Sequence, residues 1–399
     1  MKILIIDEEF PYPLNSGKRI RTFNLVKGLE KFNQISYMAY GTEKSDSYEF
    51  LKSNNINPIA VGTLNRKQSG LRFYLRLLGN LFSPYPYIVT SHYSNRFQYR
   101  LIALLKNNKY DVIICEWSPY AIFIKKLNQF KSIIVAHNIE ASIWRRYQEN
   151  ETNIFKKIYI SIQRKKIEEF ERSCFNWANG ATAVSATEAD EIASYGASYI
   201  PAVIDNGVDT EYFSSGESEI NANHLVMTGA MDWRPNQDAA IYFTEEILPI
   251  IKKTKPDCTV SFVGRNPSKH VLDLAQNESV AVSGTVDDVR PYISNANVFI
   301  VPLRIGGGSR LKILEAFSMN KAVVSTSVGA EGLNVTNGEN ILLADSPRQF
   351  AQAIIDCIDN NELNTKLSNN GKKLVESKYR WDILSNKFNN YILKIVDDK

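Results

Sequence analysis

Residues 297–317 read NVFIVPLRIGGGSRLKILEAF, and their pattern decides the fold. The apolar run Val298–Leu303 shows no polar alternation, so both of its faces must be covered, as in a central strand of a parallel sheet. Three consecutive glycines follow, Gly306, Gly307 and Gly308, then Ser309, then a stretch with helical spacing that carries Arg310, Lys312 and Glu315. Strand, glycine loop and helix form the unit of an open α/β sheet, whose ligands sit at the C-terminal ends of the strands. The glycines let the backbone approach a ligand closely. Ser309 is placed to cap the helix, whose first free N–H groups point back into the loop and favour an anion. Lys312 and Glu315 stand three residues apart on one helix face, so a diphosphate in the loop would meet Lys312 while Glu315 accepts from ribose hydroxyls. The same residues also read as a tight turn followed by an intrahelical ion pair.

Outward from this stretch the pattern repeats. KILIID, QISYMAY, DVIICEW, SIIVAH and ATAVS read as strands in the first half, and HLVMTG, CTVSFVG, SVAVSG, NVFIVPL and KAVVST in the second. Helical spacing falls at 18–32, 94–107, 153–178 and 186–195, then at 237–253, 288–295, 309–319, 347–358 and 361–376. The alternation breaks at the polar, turn-rich DNGVDTEYFSSGESEINAN, residues 205–223. A chain of 399 residues also exceeds what one hydrophobic core supports. The reading is therefore α/β, with two doubly wound, Rossmann-like domains. These are an amino-terminal domain, 1–205, a hinge, 206–223, with Gly207 at positive φ, a second domain, 224–376, and a C-terminal helix, 377–399, packing back on the first domain. A cleft between the domains is the expected site.

Composition excludes several classes. With 44% hydrophobic and 23% charged residues the chain is globular, and a net charge of +4 is too small to point to nucleic acid. Cys115, Cys174, Cys258 and Cys357 lie far apart without CxxC spacing, which argues against a zinc site or disulfide framework and fits a reducing cytoplasm. The opening MKILIIDEEF is a buried strand ending in acids, unlike a secretory signal, and no apolar run approaches the roughly 20 residues that span a bilayer. GxxxxGK[ST] is absent, and no GxGxxG follows the first strand, so a P-loop nucleotidase and a dinucleotide dehydrogenase lose their main support.

Taken together, VPLRIGGGSRLKILEAFSMNKAVVSTSVGAEGL, TGAMDWRPNQDA, FVGRNP, AVSATEAD and IDNGVDTEYF resemble the family 4 retaining glycosyltransferases of the GT-B fold, closest to a branch with an MDWxPNxDA signature. The resemblance implies a sugar nucleotide as donor, with Glu315 on its ribose. It also implies a saccharide or polyprenyl-diphosphate-linked acceptor, retention at the anomeric carbon and a role in bacterial surface polysaccharide synthesis. Two positions depart from the family. Gly307 stands where relatives have a first glutamate, and Ala230 stands where they have a diphosphate-clamping arginine. Arg310 and Lys312, helped by the loop amides of Gly306, Gly307, Gly308 and Ser309, are then expected to supply that charge, with Arg265 as a weaker candidate and Asp232 shaping the cleft floor. The resemblance sets His137, in IIVAHNIE, beside the donor sugar as an orienting group, with Asn138 next to it. Gly17 and Arg21, in FPYPLNSGKRIRTF, match the family's N-terminal cleft loop. No DxD and no His or Cys cluster occurs, so no metal and no cofactor beyond the donor is expected. A nucleotide-sugar epimerase of the same architecture and a catalytically silent binding subunit are the alternative readings.

Residues 65–110 carry Arg66, Lys67, Arg72, Arg76, Arg96, Arg100, Lys106 and Lys109 with no acid, interleaved with Phe73, Tyr74, Leu77, Leu78, Leu81, Phe82, Tyr85 and Tyr87. This pattern suits peripheral attachment to the inner face of an anionic membrane, and equally a solvated basic face over ordinary core residues.

Overall fold

The computed structural model describes residues 1–64, 69–125, 127–214, 216, 219–305 and 310–398. The chain separates into two compact units, one formed by Met1–Asp205 with Leu384–Lys399, the other by Asn206–Ile383. Each is a parallel sheet between helices.

In the first unit the strands are β1 (Lys2–Glu9), β2 (Gln34–Tyr40), β3 (Asn57–Ala60), β4 (Val112–Cys115), β5 (Lys131–Val135), β6 (Gly180–Ala183) and β7 (Ala202–Val203). They are ordered β3-β2-β1-β4-β5-β6-β7, all parallel. The centre is formed by the most apolar runs: Ile3–Ile6 and Val112–Cys115 are fully covered, as strands packed on both faces must be. The second unit carries β8 (Asn221–Thr228), β9 (Thr259–Val263), β10 (Val280–Val282), β11 (Ala296–Val301), β12 (Ala322–Ser325) and β13 (Leu342–Leu343), ordered β10-β9-β8-β11-β12-β13 and again all parallel. In both sheets the order reverses beside the first strand of the unit, which is where such sheets open a ligand crevice.

The ten strand-like segments are all strands. Three more, β3, β7 and β13, have only two to four residues each and lie at or near sheet edges. The stretch at 206–214 packs on the second unit: the Val208 amide donates to the Tyr379 carbonyl at 2.8 Å, and the Ser318 hydroxyl donates to the Phe213 carbonyl at 2.7 Å. Gly207 does not have the positive φ expected of it; Asp209 makes this turn instead, accepting from the amides of Glu211 and Tyr212. The last helix, Trp381–Asp397, crosses from the second unit to the first. There Tyr391 accepts from the Ala181 amide at 3.1 Å, Asn389 accepts from Asn33 at 2.8 Å, and Ser385 fills the space that a side chain at Gly28 would need. All four cysteines are free and buried, and among the described residues no helix is long and apolar enough to cross a membrane.

Candidate functional site

In the second unit the site is built at the C-terminal ends of β8, β9 and β11. After β8, Gly229 takes φ +145°, and a Cβ on it would crowd the Asn236 amide and the Lys312 ammonium. A Cβ on Gly264, which follows β9, would overlap the Gly229 carbonyl, so glycine at both positions is what lets these two strand ends touch. The close approach is fixed by the Gly229 amide on the Val263 carbonyl, 3.0 Å, and the Met231 amide on the Arg265 carbonyl, 2.9 Å.

Lys312 reaches this corner from the helix Leu311–Ser318, which follows β11. Its ammonium donates to Asn236 Oδ1 at 2.8 Å, and the Asn236 amide donates in turn to the Ala230 carbonyl at 2.8 Å. No salt bridge joins Lys312 to Glu315, so the simple intrahelical pair is not formed. Burial pulls the Lys312 ammonium down to about 8 against the opposing pull of Glu315, and burial pushes Glu315 up to about 7 with Lys312 working against it. Both groups keep some accessible surface, yet packing has stripped enough water to leave each poorly compensated. Such a pair gains most when a ligand brings an anion to the lysine and hydroxyl donors to the glutamate.

Arg310 lies buried at the start of the same helix, with Nη2 donating to the Val328 carbonyl at 2.6 Å and 3.3 Å from Glu331. It thereby ties the helix start to the loop after β12. Arg265 and Asp232 are exposed neighbours, 3.9 Å apart, and Asn266 donates to Asp232 at 3.3 Å. Trp233 is exposed, not packed in the core. Gly306, Gly307, Gly308 and Ser309 lie outside the described residues, and with them the loop amides and the Ser309 cap; the helix begins at Leu311, two residues later than its spacing suggests.

The first unit gathers a second polar group at the ends of β1, β4 and β5. His137 Nε2 lies 3.0 Å from Glu116 Oε2, which also accepts from the Thr22 hydroxyl at 3.1 Å. Burial pushes Glu116 up, but His137, Arg21 and Lys18 outweigh it and hold its carboxyl below the usual range. An ionised carboxylate only accepts, so it is His137 Nε2 that donates in this contact. Lys18 bridges Asp7 at 2.8 Å and Glu8 at 2.7 Å, and Tyr37 donates to the other Asp7 oxygen at 2.6 Å.

Gly17 does open a helix, Gly17–Glu30, capped by Ser16 accepting from the Arg19 amide. Arg21 sits deeper than a loop residue: it is buried and donates to the carbonyls of Ile204 at 2.6 Å and Asp205 at 2.5 Å, clamping this helix to the end of the domain. Burial lowers its guanidinium to about 10, against the pull of Glu116, Asp205 and Glu188. Asn138 is half-buried beside His137. Sequence reasoning assigned no role to Glu116 or Asn236. The available signals were an acid closing a buried strand next to the one that ends in His137, and an asparagine one turn into the helix after MDW.

Residues 222–360 match the family model described as Glycosyl transferases group 1, and residues 51–212 match that of Glycosyltransferase Family 4. With one match in each unit, they support a glycosyltransferase of the GT-B fold. More particularly, the chain is 23% identical over 397 residues, 95% of its length and 96% of the other's, to an uncharacterized 44.6 kDa protein in the cps region of Klebsiella pneumoniae. It is 28% identical over 127 residues to the capsular polysaccharide biosynthesis glycosyltransferase CapM of Staphylococcus aureus, a match covering 30% of this chain and 33% of CapM. Among solved structures, Anabaena HepE in complex with UDP and glucose superposes with a TM-score of 0.66 at 13% identity, covering 98% of this chain and 99% of that one, a likeness of fold.

Proposed function

We propose that the chain transfers a hexosyl group from a nucleoside-diphosphate sugar to a saccharide or polyprenyl-diphosphate-linked acceptor in bacterial surface polysaccharide synthesis, with retention and without a metal. The observation that carries the reading is the desolvated Lys312, held by Asn236 at the strand ends with Glu315 one turn further along the helix. Breaking the bond from the anomeric carbon to the diphosphate puts negative charge on the leaving group. A preorganised ammonium in a dry site stabilises that charge without reorganising. Arg310 adds positive potential from the start of the same helix. The acceptor hydroxyl attacks the same face, and its proton goes to the departing phosphate oxygen. His137, held by Glu116, hydrogen-bonds the transferred sugar. The likeness to CapM, named for capsular polysaccharide biosynthesis, and to a protein of a cps region supports the biological setting.

The membrane partner belongs to the same proposal. Leu71, Tyr74, Leu75 and Leu78 of the helix Leu71–Asn80 are exposed, Phe82 just after it is 93% exposed, and Arg72 and Arg76 share the helix; Arg66 and Lys67 lie outside the described residues. A second element adjoins them. Lys166 and Gln163 of the helix Ile154–Trp177 hold the carbonyls of Asn80, Leu81 and Ser83 and the Asn80 side chain, and the start of that helix exposes Ile154, Phe155, Ile158 and Ile162. Its first fourteen residues contain five basic and no acidic side chains. Exposed apolar groups on two elements rich in cations complement an anionic bilayer surface.

The test is to incubate the purified chain with UDP-, GDP- and ADP-sugars, with and without lipid-linked saccharide acceptors, in EDTA. Acceptor-dependent nucleotide release supports transfer. Donor conversion without acceptor would mark an epimerase, and no turnover with any donor a silent subunit.

A further inference from the structure

Glu116 and His137 meet beyond the end of the strand ladder. The register of β4 on β5 closes at Cys115 and Ile134. Past that point each segment is anchored to a different neighbour: the Glu116 amide donates to the Ile6 carbonyl at 3.0 Å, and the Ala136 amide to the Thr182 carbonyl at 2.8 Å. Pairing of the two strands therefore leaves open what holds Glu116 and His137 at 3.0 Å.

Behind both segments lies Glu171, a fully buried residue of the helix Ile154–Trp177. On one side its Oε1 accepts from the Ser118 hydroxyl at 2.8 Å, two residues after Glu116. On the other, Oε1 accepts from the Glu140 amide at 3.1 Å and Oε2 from the Ala141 amide at 3.0 Å, three and four residues after His137. A parallel bond joins the same segments directly, from the Trp117 indole to Glu140 Oε1 at 2.8 Å. A local cap would have served to start the helix Glu140–Asn150, but its cap position holds Ile139, which belongs to the hydrophobic core. Burying a carboxylate is costly. In return its two oxygens, which carry no donor, take two amides from one segment and a hydroxyl from the other at once.

We propose that Glu171 is a positioning residue that sets the His137–Glu116 pair by tying the segment carrying Glu116 to the segment carrying His137. Burial pushes its carboxyl up to about 8, with Glu140 adding to the effect against the Ala141 amide, the Ser118 hydroxyl and the Glu140 amide, so the tie is complete above that pH. Cys174 and Tyr195, the other titratable groups that feel its charge, are pushed up by burial and stay neutral there. The consequence for turnover rests on the glycosyltransferase reading above; the placing of His137 rests on these bonds alone.

Two variants of the intact chain test it. Glu171→Gln keeps the bulk but turns an NH₂ group toward a donor, so at least one tie is lost. Ser118→Ala leaves both helix-start amides on Glu171 and cuts its bond to the Glu116 segment, which separates positioning from simple capping and stands as the test if the glutamine variant fails to fold. Nitrogen NMR of the imidazole rings near pH 9 is the first readout. The parent should show His137 with Nε2 protonated, and in both variants its ring nitrogens should move toward the average of an unconstrained ring, while His224 in the second unit, 2.8 Å from Thr259, stays unchanged. With a donor and acceptor that the parent turns over, kcat near pH 8 should fall about tenfold in Glu171→Gln and about threefold in Ser118→Ala, with donor KM and UDP affinity unchanged. The proposal is overturned if the His137 ring and kcat match the parent in Ser118→Ala, or if His224 moves along with His137, which is general loosening. A parent that turns over no donor would sink the transferase reading, and the His137 resonances would still decide the role of Glu171.

Discussion

The affinity of the free protein for a nucleoside diphosphate should have a bell-shaped pH dependence whose two limbs belong to Lys312 and Glu315. Lys312 loses its proton around pH 8 and Glu315 around pH 7, both displaced by burial. If the diphosphate needs the ammonium, affinity falls above pH 8 as the protonated fraction falls. With that pKa the protonated fraction drops roughly tenfold between pH 7 and pH 9; Glu315 completes its ionisation over the same range, so affinity falls roughly fivefold, ~1 kcal/mol of binding energy. The ligand cannot produce this limb, since a terminal phosphate with a pKa of about 6 is already ionised there. If the ribose needs the carboxylate, affinity also falls below pH 7. Lys312→Met keeps the bulk, removes the charge and should cost about 2 kcal/mol, the worth of a charge-assisted hydrogen bond, while erasing the alkaline limb. Glu315→Gln should flatten the acid limb relative to the parent. Isothermal titration with UDP, GDP and ADP from pH 6 to 10 reads both. Equal affinity at pH 7 and pH 9.5, or an alkaline limb that survives in Lys312→Met, would refute the reasoning.

Further outcomes follow from the same geometry. A charged Lys312 is disfavoured in the folded state, so between pH 8 and 10.5 the unfolded chain holds the extra proton and stability rises with pH; the parent should gain on Lys312→Met in that window when denatured at pH 7.5 and 9.5. Gly264→Ala should destabilise the second unit by roughly 3 kcal/mol through the clash with the Gly229 carbonyl, visible as a melting temperature lowered by several degrees. Glu116→Gln should slow turnover about tenfold by loosening His137 while UDP affinity stays the same; equal loss of both would mean a general folding defect. Phe82→Ser combined with Phe155→Ser should release the chain from anionic vesicles at low salt, and unchanged sedimentation would contradict the membrane surface.

The sheets were legible because a strand segment covered on both faces must be apolar, and the buried runs Ile3–Ile6 of β1, Val112–Cys115 of β4, Leu225–Met227 of β8 and Val298–Val301 of β11 are. The short β3, β7 and β13 were not, since two to four residues at or near an edge carry no period. The helix Glu140–Asn150 also went unread. Its start is stabilised by Glu171, thirty residues away, which accepts from the Glu140 and Ala141 amides, instead of by a local capping residue. Lys312 and Glu315 stood out from their spacing, but what Lys312 binds did not, because Asn236 lies 76 residues earlier and meets it only after two strands are paired. Arg21 shows the converse. Its position in a glycine loop suggested the cleft, whereas its partners are carbonyls 183 and 184 residues further on, a contact no local pattern encodes.

The central claim is that Lys312 holds the leaving diphosphate while Glu315 holds the ribose. A crystal structure with the nucleoside diphosphate that titration selects tests it most directly. It should place a phosphate oxygen within about 3 Å of Lys312 Nζ, drawn away from Asn236, and a ribose hydroxyl on the Glu315 carboxylate. Phosphates bound elsewhere, with Lys312 still on Asn236, would contradict it.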